Sequence, residues 1–167
     1  QSLDFSRLGS VSEITIKNGK TRQGENLGIT LGKDQELYLT KLKKEANLNS
    51  ALLADGGGLI INQDESASSL KLNVDQIGPS FSNAQENILI DFSNQQLATL
   101  YLTVSNKNSM ALFNSGGGIS SLEVSGSGSL QLEELPENLS SLDGALSNIN
   151  FNLLIQDQNI NVNLGSG

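Results

Sequence analysis

Pairs of carboxylates are the residues in this sequence that come closest to a catalytic site. Glycoside hydrolysis needs two Asp or Glu side chains about 5–10 Å apart. Glu123 with Glu133 or Glu134, or Asp91 with a neighbour, could supply them, and Glu123 and Glu133 could share an outer face of stacked strands. The chain contains no His and no Cys, which removes the usual general base and every thiol or Ser–His nucleophile. Nothing marks these carboxylates as buried, so we expect a protein that is not an enzyme.

A second group of acidic residues could bind a metal ion. Asp55, Asp64 and Glu65 are the densest oxygen ligands in the chain, of the kind that Ca²⁺ prefers. Carboxylates in solvated turns are the commoner arrangement. The sequence therefore requires no cofactor, and Ca²⁺ is the one candidate.

Short strands are the elements that must position these side chains. Apolar and polar residues alternate with a period of two in about eleven segments, separated by Gly, Asn, Ser and Asp. The segments are 13–18, 27–31, 36–42, 58–62, 69–74, 87–92, 99–104, 120–125, 129–135, 148–155 and 159–164. Gly126-Ser-Gly128 is predicted to be a turn between two of these strands, because Gly and Ser tolerate tight corners and unusual φ angles.

An internal repeat organises the strands. "ALLADGGGLI" (51–60) and "SLKL" (69–72) reappear 60 residues later as "ALFNSGGGIS" and "SLQL", and two weaker matches, "LYLT" and "NILIDF"/"NINFNL", have offsets of 63 and 61. The repeat predicts two modules, at 28–90 and 91–153. Leading strands at 1–27 form a cap, and a trailing strand at 154–167 is expected to continue into further sequence.

The strand pattern predicts an all-β fold. Units of about 20 residues are the size of one coil in a β-solenoid, where each coil buries its inward side chains against the next. The alternative is an antiparallel β-sandwich, for which about 60 residues per module is small. Hydrophobic residues make up 37% of the chain and aromatic residues 4%, which favours a thin aliphatic core.

Two tyrosines are candidate contact residues. Tyr38 and Tyr101 occupy matching repeat positions with Leu on both sides, so strand alternation turns both rings outward. Asn rows in 148–152 and 159–163 alternate with apolar residues in the same way; they either form hydrogen-bonded ladders between coils or bind a ligand.

The charge of the chain limits its partners. The net charge is −8, so a nucleic-acid partner, which needs a basic face, is not expected. No apolar run approaches the ~18 residues that a membrane-spanning helix needs. The absence of Cys is compatible with the cytosol, and equally with a bacterial surface protein that has no disulfides.

The second half of the chain resembles a known group of proteins. "LEVSGSGSLQL" (122–132), "LSSLDGAL" (139–146) and "VNLGSG" (162–167) are similar to the repetitive β-rich regions of bacterial S-layer proteins and of RTX-type surface proteins exported by type I secretion. The resemblance covers most of 97–167 and, through the repeat, 28–90. It implies an extracellular, cell-surface location and structural work, often ordered by Ca²⁺. The family's calcium motif is incomplete here, because the glycines at 56–58 follow their Asp and Ser115 replaces that Asp in the second copy.

These observations predict a non-catalytic structural domain of an S-layer subunit, which self-assembles into a homo-oligomeric lattice through lateral contacts. The alternative is an adhesin or glycan-binding module of a large secreted RTX-type protein, with cell-surface polysaccharide as the partner.

Overall fold

Strands joined by short turns make up the fold. The computed structural model describes residues 1–21, 26–44, 58–78, 88–145, 147–153 and 159–164, and none of these residues is helical. The described part of the chain accordingly has no helix with the length and hydrophobicity that crossing a membrane requires. The strands are β1 (Ser2–Asp4), β2 (Glu13–Lys17), β3 (Lys20–Thr21), β4 (Leu27–Leu31), β5 (Glu36–Thr40), β6 (Lys43–Lys44), β7 (Leu59–Gln63), β8 (Ser69–Asp75), β9 (Ile88–Phe92), β10 (Thr99–Ser105), β11 (Lys107–Phe113), β12 (Ser121–Leu132), β13 (Ser141–Gly144), β14 (Ser147–Leu153) and β15 (Asn161–Leu164).

All strand pairs among the described residues are parallel. Thirteen strands form one curled sheet, and β3 pairs with β6 in a separate two-stranded sheet. Each passage of the chain around the curl is a rung, and strands at equivalent places in successive rungs form three sides. The first side contains β1, β4, β7, β9 and the second half of β11. The middle side contains β2, β5, β8, β10, the first half of β12, β13 and β15. The third side contains the first half of β11, the second half of β12, and β14.

Alternation along each strand places aliphatic side chains inside the curl. Leu70, Leu100, Leu122 and Leu142 are paired one above another on the middle side, and each is at most 1% exposed. Burial of such a leucine stabilises the fold by about 1.5–3 kcal/mol. The prediction of an all-β solenoid is therefore confirmed. The antiparallel sandwich is wrong, because the described pairs are parallel.

The repeated sequence motifs are placed unequally. The two copies of "LYLT" both lie on the middle side, in β5 and β10, but two positions out of register, whereas the "SLKL" motif changes sides. "SLKL" lies in β8 on the middle side, whereas "SLQL" lies in the second half of β12 on the third side. Paired residues are 35 positions apart at Leu37 and Leu72 but 20 apart at Leu122 and Leu142. The register therefore gives no support to a 60-residue structural unit, and the module boundaries at 28–90 and 91–153 stay a prediction.

A column of left-handed residues turns the chain where it leaves the middle side. Asn18, Lys41, Gln76 and Asn106 have φ angles of 55–58°, and each directly follows a middle-side strand. The Asn18 and Lys41 amides donate hydrogen bonds to Thr40 O and Asp75 O in the next rung, at 3.0 and 2.8 Å. Adopting the left-handed conformation costs a non-glycine residue roughly 1–2 kcal/mol, so the stacked rungs must compensate for this corner.

Glycine occupies the same corner in the rung of β12. Gly126 and Gly128 have φ angles of +106° and +115°, and a Cβ atom on either would collide with the carbonyl oxygen of Val104 or Asn106 below it. The unusual φ expected of these glycines is present. The predicted turn between two strands is wrong, however, because β12 continues through the corner as one strand.

Replacing Gly128 by Ala tests the corner. Gly128→Ala should lower the free energy of unfolding by at least about 2 kcal/mol, because it adds both left-handed strain and the clash with Asn106 O. Urea denaturation measures the change. Gly9→Ala is the matched control, since a Cβ there meets nothing within 4 Å; equal stabilities of the two variants would contradict this account.

Side-chain amides satisfy the turns between the first and middle sides. Gln35 is buried; its Oε1 accepts a hydrogen bond from Gly32 N at 2.7 Å. Its Nε2 lies 3.1, 3.2 and 3.0 Å from the carbonyl oxygens of Phe5, Leu8 and Val11. One side chain of the second rung therefore holds the whole turn of the first rung.

The next rungs repeat this arrangement. Buried Gln63 donates from Nε2 to Lys33 O at 2.9 Å, and buried Asn94 donates from Nδ2 to Asp64 O at 3.1 Å. Each amide binds the turn one rung earlier. An unpaired buried carbonyl costs about 1–3 kcal/mol. These hydrogen bonds therefore fix the position of each turn relative to the turn in the next rung.

Replacing Gln35 by Ala should destabilise the first rung. We expect a loss of at least about 2 kcal/mol, since several backbone groups lose their partner. Hydrogen exchange should show lost protection at the amides of Gly32, Leu8 and Val11. The exposed Gln95 is the control, and unchanged exchange at Leu8 and Val11 in Gln35→Ala would contradict the assigned role.

Candidate functional site

The outward face of the middle side carries a row of charged and aromatic side chains. Successive strand pairs place these residues one above another, and Lys71 Nζ lies 2.6 Å from Glu36 Oε1. This charged row consists of Glu13, Glu36, Lys71, Tyr101, Glu123, Asp143 and Asn163. Its neighbours along the strands are largely hydroxyl residues, such as Thr103, whose Oγ1 lies 3.3 Å from Ser125 Oγ in the next rung. The surface is therefore a regular ladder of polar side chains.

Tyr101 is the exposed aromatic residue of the charged row. Its side chain is 39% exposed; the other exposed large hydrophobic residues in the described part of the chain lie before β2 or in β15. Leu100 and Leu102 on either side are buried, which gives Tyr101 the outward orientation that alternation predicts. Its role as a contact residue stays a prediction.

Tyr38 is in a different environment. It is half-buried, and its hydroxyl donates a hydrogen bond to Glu36 Oε2 at 3.4 Å. Burial, and then the negative charges of Glu13 and Glu36, raise the pKa of Tyr38. Tyr38 pairs with Asn73, whereas Tyr101 pairs with Lys71, so the two rings are two positions apart along the strands.

The hydrogen bond from Lys71 to Glu36 ties two rungs together at the surface. This bond and the carboxylate charge raise the pKa of Lys71. The lysine stays protonated through the neutral range, which leaves one paired cation directly below Tyr101 and two carboxylates above it. The two nearest neighbours of Tyr101 in the charged row, Lys71 and Glu123, therefore carry opposite charges.

The acidic residues proposed for Ca²⁺ are not brought together as a cluster. Asp64 Oδ1 accepts hydrogen bonds from Ser66 N at 2.9 Å and Ser66 Oγ at 2.6 Å, and Glu65 is exposed beside it. Asp55 lies outside the described residues. No group of three or more acidic residues in the described ranges could hold a metal ion. Asp64 closes its own turn, and Asp4 does the same with Ser6.

The Ser66 hydrogen bonds give Asp64 a role in stability that depends on pH. They lower the pKa of Asp64 below its ordinary value of 3.8. Because the pKa is lower in the folded state, the ionised carboxylate stabilises the fold above pH 3.8. This stabilisation is lost as the pH falls through the pKa of the folded state. Asp64→Ala should therefore reduce stability near neutral pH, and the difference from wild type should narrow in acid below pH 3.8.

Urea denaturation at both pH values measures this effect. In a Ser66→Ala background the loss caused by Asp64→Ala should be smaller, because the 2.6 Å hydroxyl bond is already absent. A loss that is equal at both pH values would refute the proposed role of the ionised carboxylate.

The carboxylates considered for catalysis are separated. Glu123 is exposed on the middle side, whereas Glu133 follows β12 beyond the third side and accepts a hydrogen bond from Gln131 Nε2 at 3.2 Å. The expectation that these two share an outer face is wrong, because β12 turns its corner between them. Asp91 lies on the first side and accepts a hydrogen bond from Ser115 N at 2.8 Å.

A cleft on the first side is a feature that the sequence does not reveal. It has a volume of about 520 Å³. Its apolar part includes Ile60, Leu89 and Phe113, and its polar part includes Asp91, Asn114 and Glu137. We call it the first-side cleft. Asp91 and Phe113 are 22 positions apart in the chain but lie opposite each other in the paired strands β9 and β11. No local sequence pattern predicts that pairing.

Comparisons with known proteins add no identity to this geometry. No protein-family model matches the chain, and no curated protein or solved structure is significantly similar to it. Function must therefore be argued from the charged row and the first-side cleft.

Proposed function

We propose that the chain is a non-catalytic structural domain of an extracellular bacterial surface protein, an S-layer subunit that self-assembles laterally through the charged row. The observation that carries this proposal is the exposure of Tyr101, at 39%, in the middle of a regular strand ladder. Tyr is enriched among the residues that dominate binding energy at protein interfaces, because it buries a large ring and keeps a polar hydroxyl.

The charges around Tyr101 make the row complementary to a second copy of itself. Lys71 lies one rung before Tyr101, and Glu123 lies one rung after it. A two-fold axis along the strand direction at Tyr101 would place Lys71 of each copy opposite Glu123 of the other. Such a self-complementary patch is what a two-fold interface requires.

The same arrangement brings two symmetry-related pairs of like charges together. Glu36 of one copy would meet Asp143 of the other, two rungs from the tyrosines, and Lys71 neutralises part of the Glu36 charge. A divalent cation such as Ca²⁺ would screen this repulsion. Assembly should therefore strengthen when Ca²⁺ is added, without a preformed metal site in one copy.

Removing the ring should weaken self-association. Tyr101→Ala should raise the dimer dissociation constant about 10- to 30-fold, as truncation of a central interface residue does. Sedimentation velocity across a concentration series, with and without Ca²⁺, measures this, and electron microscopy shows whether the complexes extend into sheets. Tyr38→Phe, which keeps a half-buried ring, is the control.

A charge exchange tests the geometry of the interface. Lys71→Glu and Glu123→Lys should each weaken association, and the double variant should restore part of it because the opposed charges are again unlike. A wild-type chain that stays monomeric at every concentration, with and without Ca²⁺, would remove the basis of the proposal.

A further inference from the structure

The first rung has a strand edge that no other strand covers in the described part of the chain. β1 and β2 lie at the two ends of the strand order of the large sheet, and β2 pairs with β5 alone. An uncovered edge presents backbone donors and acceptors to which another strand can pair. Leu3, Leu8 and Val11 in the same rung are exposed, whereas a terminal repeat that caps a solenoid has a polar outer face. The first rung therefore has the features of an interface.

Alternation along β2 determines which backbone groups face this edge. The amide of Asn18 donates a hydrogen bond to β5, and the carbonyl of Ser12 accepts one from it. Even-numbered positions of the strand therefore direct their N–H and C=O groups toward β5, as in a regular parallel pair. The odd-numbered residues Glu13, Thr15 and Lys17 direct theirs toward the open edge, and their side chains are exposed on the outer face.

The charges of β2 allow the strand to pair with a copy of itself. In an antiparallel pair centred on Thr15, Glu13 of each strand lies opposite Lys17 of the other, and Ile14 lies opposite Ile16. Unlike charges at such positions contribute roughly 0.2–1 kcal/mol, and like charges are destabilising. A pair centred on Glu13 or Lys17 would bring two identical charges together, and one centred on either isoleucine would present backbone groups already bonded to β5. Thr15 is the centre within β2 that satisfies both conditions.

Pairing at this centre would satisfy the open edge. Two opposed residues that direct their backbone groups at each other exchange two hydrogen bonds, so Thr15 with its copy and Glu13 with Lys17 on either side give about six. On the inner face, the buried Ile14 would contact the half-buried Ile16 of the other copy, which continues the aliphatic core across the axis. A two-fold interface of this kind is closed, so it joins two solenoids and adds no third.

We propose that a second copy of this chain docks on the β2 edge, with the two β2 strands antiparallel about a two-fold axis at Thr15. This contact joins two solenoids end to end through backbone groups, whereas the charged row lies on the outer face and joins them side by side. It does not depend on the proposed S-layer function. Thr15 and Lys17 lie outside the charged row, so each interface can be removed without the other.

A single cysteine at the axis tests the pairing. The Cα atoms of such an opposed pair are about 5.5 Å apart, within the range that a disulfide bridges, and the chain contains no Cys of its own. Thr15→Cys should therefore form a covalent dimer when oxidised glutathione is added. Glu65→Cys, in an exposed turn, is the matched control and should stay largely monomeric on a non-reducing gel.

Sedimentation velocity in a Tyr101→Ala background separates the end-to-end contact from the lateral one. Lys17→Glu should raise the dimer dissociation constant at least about tenfold, because it places like charges opposite each other on both sides of the axis. Adding Glu13→Lys should restore most of the association, since the opposed charges are again unlike. Lys107→Glu, an exposed position on the third side, makes the same change in net charge and should leave the dissociation constant unchanged.

Thr15→Pro removes the backbone donor at the axis. The Thr15 amide points away from β5, and proline is tolerated in an edge strand at such a position. Tm should therefore stay close to that of the parent protein, while association is lost. Small-angle X-ray scattering gives the shape of the complex, and an end-to-end dimer should have nearly double the maximum dimension of the monomer.

Different results would overturn the proposal at different steps. Unchanged association of a folded Thr15→Pro variant, or equal cross-linking of the two cysteine variants, would exclude pairing at Thr15. A double charge variant that stays as weak as Lys17→Glu would exclude the antiparallel register. A Tyr101→Ala protein that is monomeric at every concentration would exclude the end-to-end contact and leave the lateral one standing. Conversely, association that survives Tyr101→Ala and is abolished by Thr15→Pro would support this contact and remove the lateral one.

Discussion

Parallel strands stacked in register give each side chain its closest neighbours at the same position in the rungs above and below, about 4.8 Å away. An inward position must therefore be apolar in every rung. The row of Leu70, Leu100, Leu122 and Leu142 satisfies this with residues that are at most 1% exposed. An outward position must tolerate the neighbouring charges. The charged row does so by pairing Lys71 with Glu36 and by placing Tyr101 between unlike charges.

The same stacking decides how the backbone turns. A corner that repeats in every rung must use a similar conformation each time, and the left-handed residues Asn18, Lys41, Gln76 and Asn106 form such a column. Where β12 turns with glycine instead, the carbonyl oxygens below leave no space for a Cβ atom. Turns at the other corner vary in sequence, and buried amides such as Gln35 and Asn94 bind their carbonyl groups from the next rung.

Two outward surfaces of one rigid core can then serve different purposes. The middle side presents a regular row suited to contact with a second copy of the chain. The first side is irregular, because the half-buried Phe113 and the unpaired amide of Asn114 border a cleft. The regular middle side and the irregular first side are therefore two different outward surfaces of one core.

Local periodicity identified most of the strands, because an alternating segment such as 99–104 buries one face whichever strand it pairs with. It missed the short strands β1, β3, β6 and β13. It also missed β11, in which the five residues 108–112 are all buried in succession. It also predicted the outward orientation of Tyr101 and the unusual φ at Gly126 and Gly128. These properties depend on the residue and its immediate neighbours.

The features that depend on which strands pair could be identified only from the tertiary structure. Rungs differ in length, with paired residues 20 to 35 positions apart, so sequence matches at an offset of 60 joined strands of different sides. For the same reason Glu123 and Glu133, ten positions apart, are separated by a corner, whereas Asp91 and Phe113 are adjacent. The sequence alone determined which side chains face inward; the lengths of the turns decided which side chains meet.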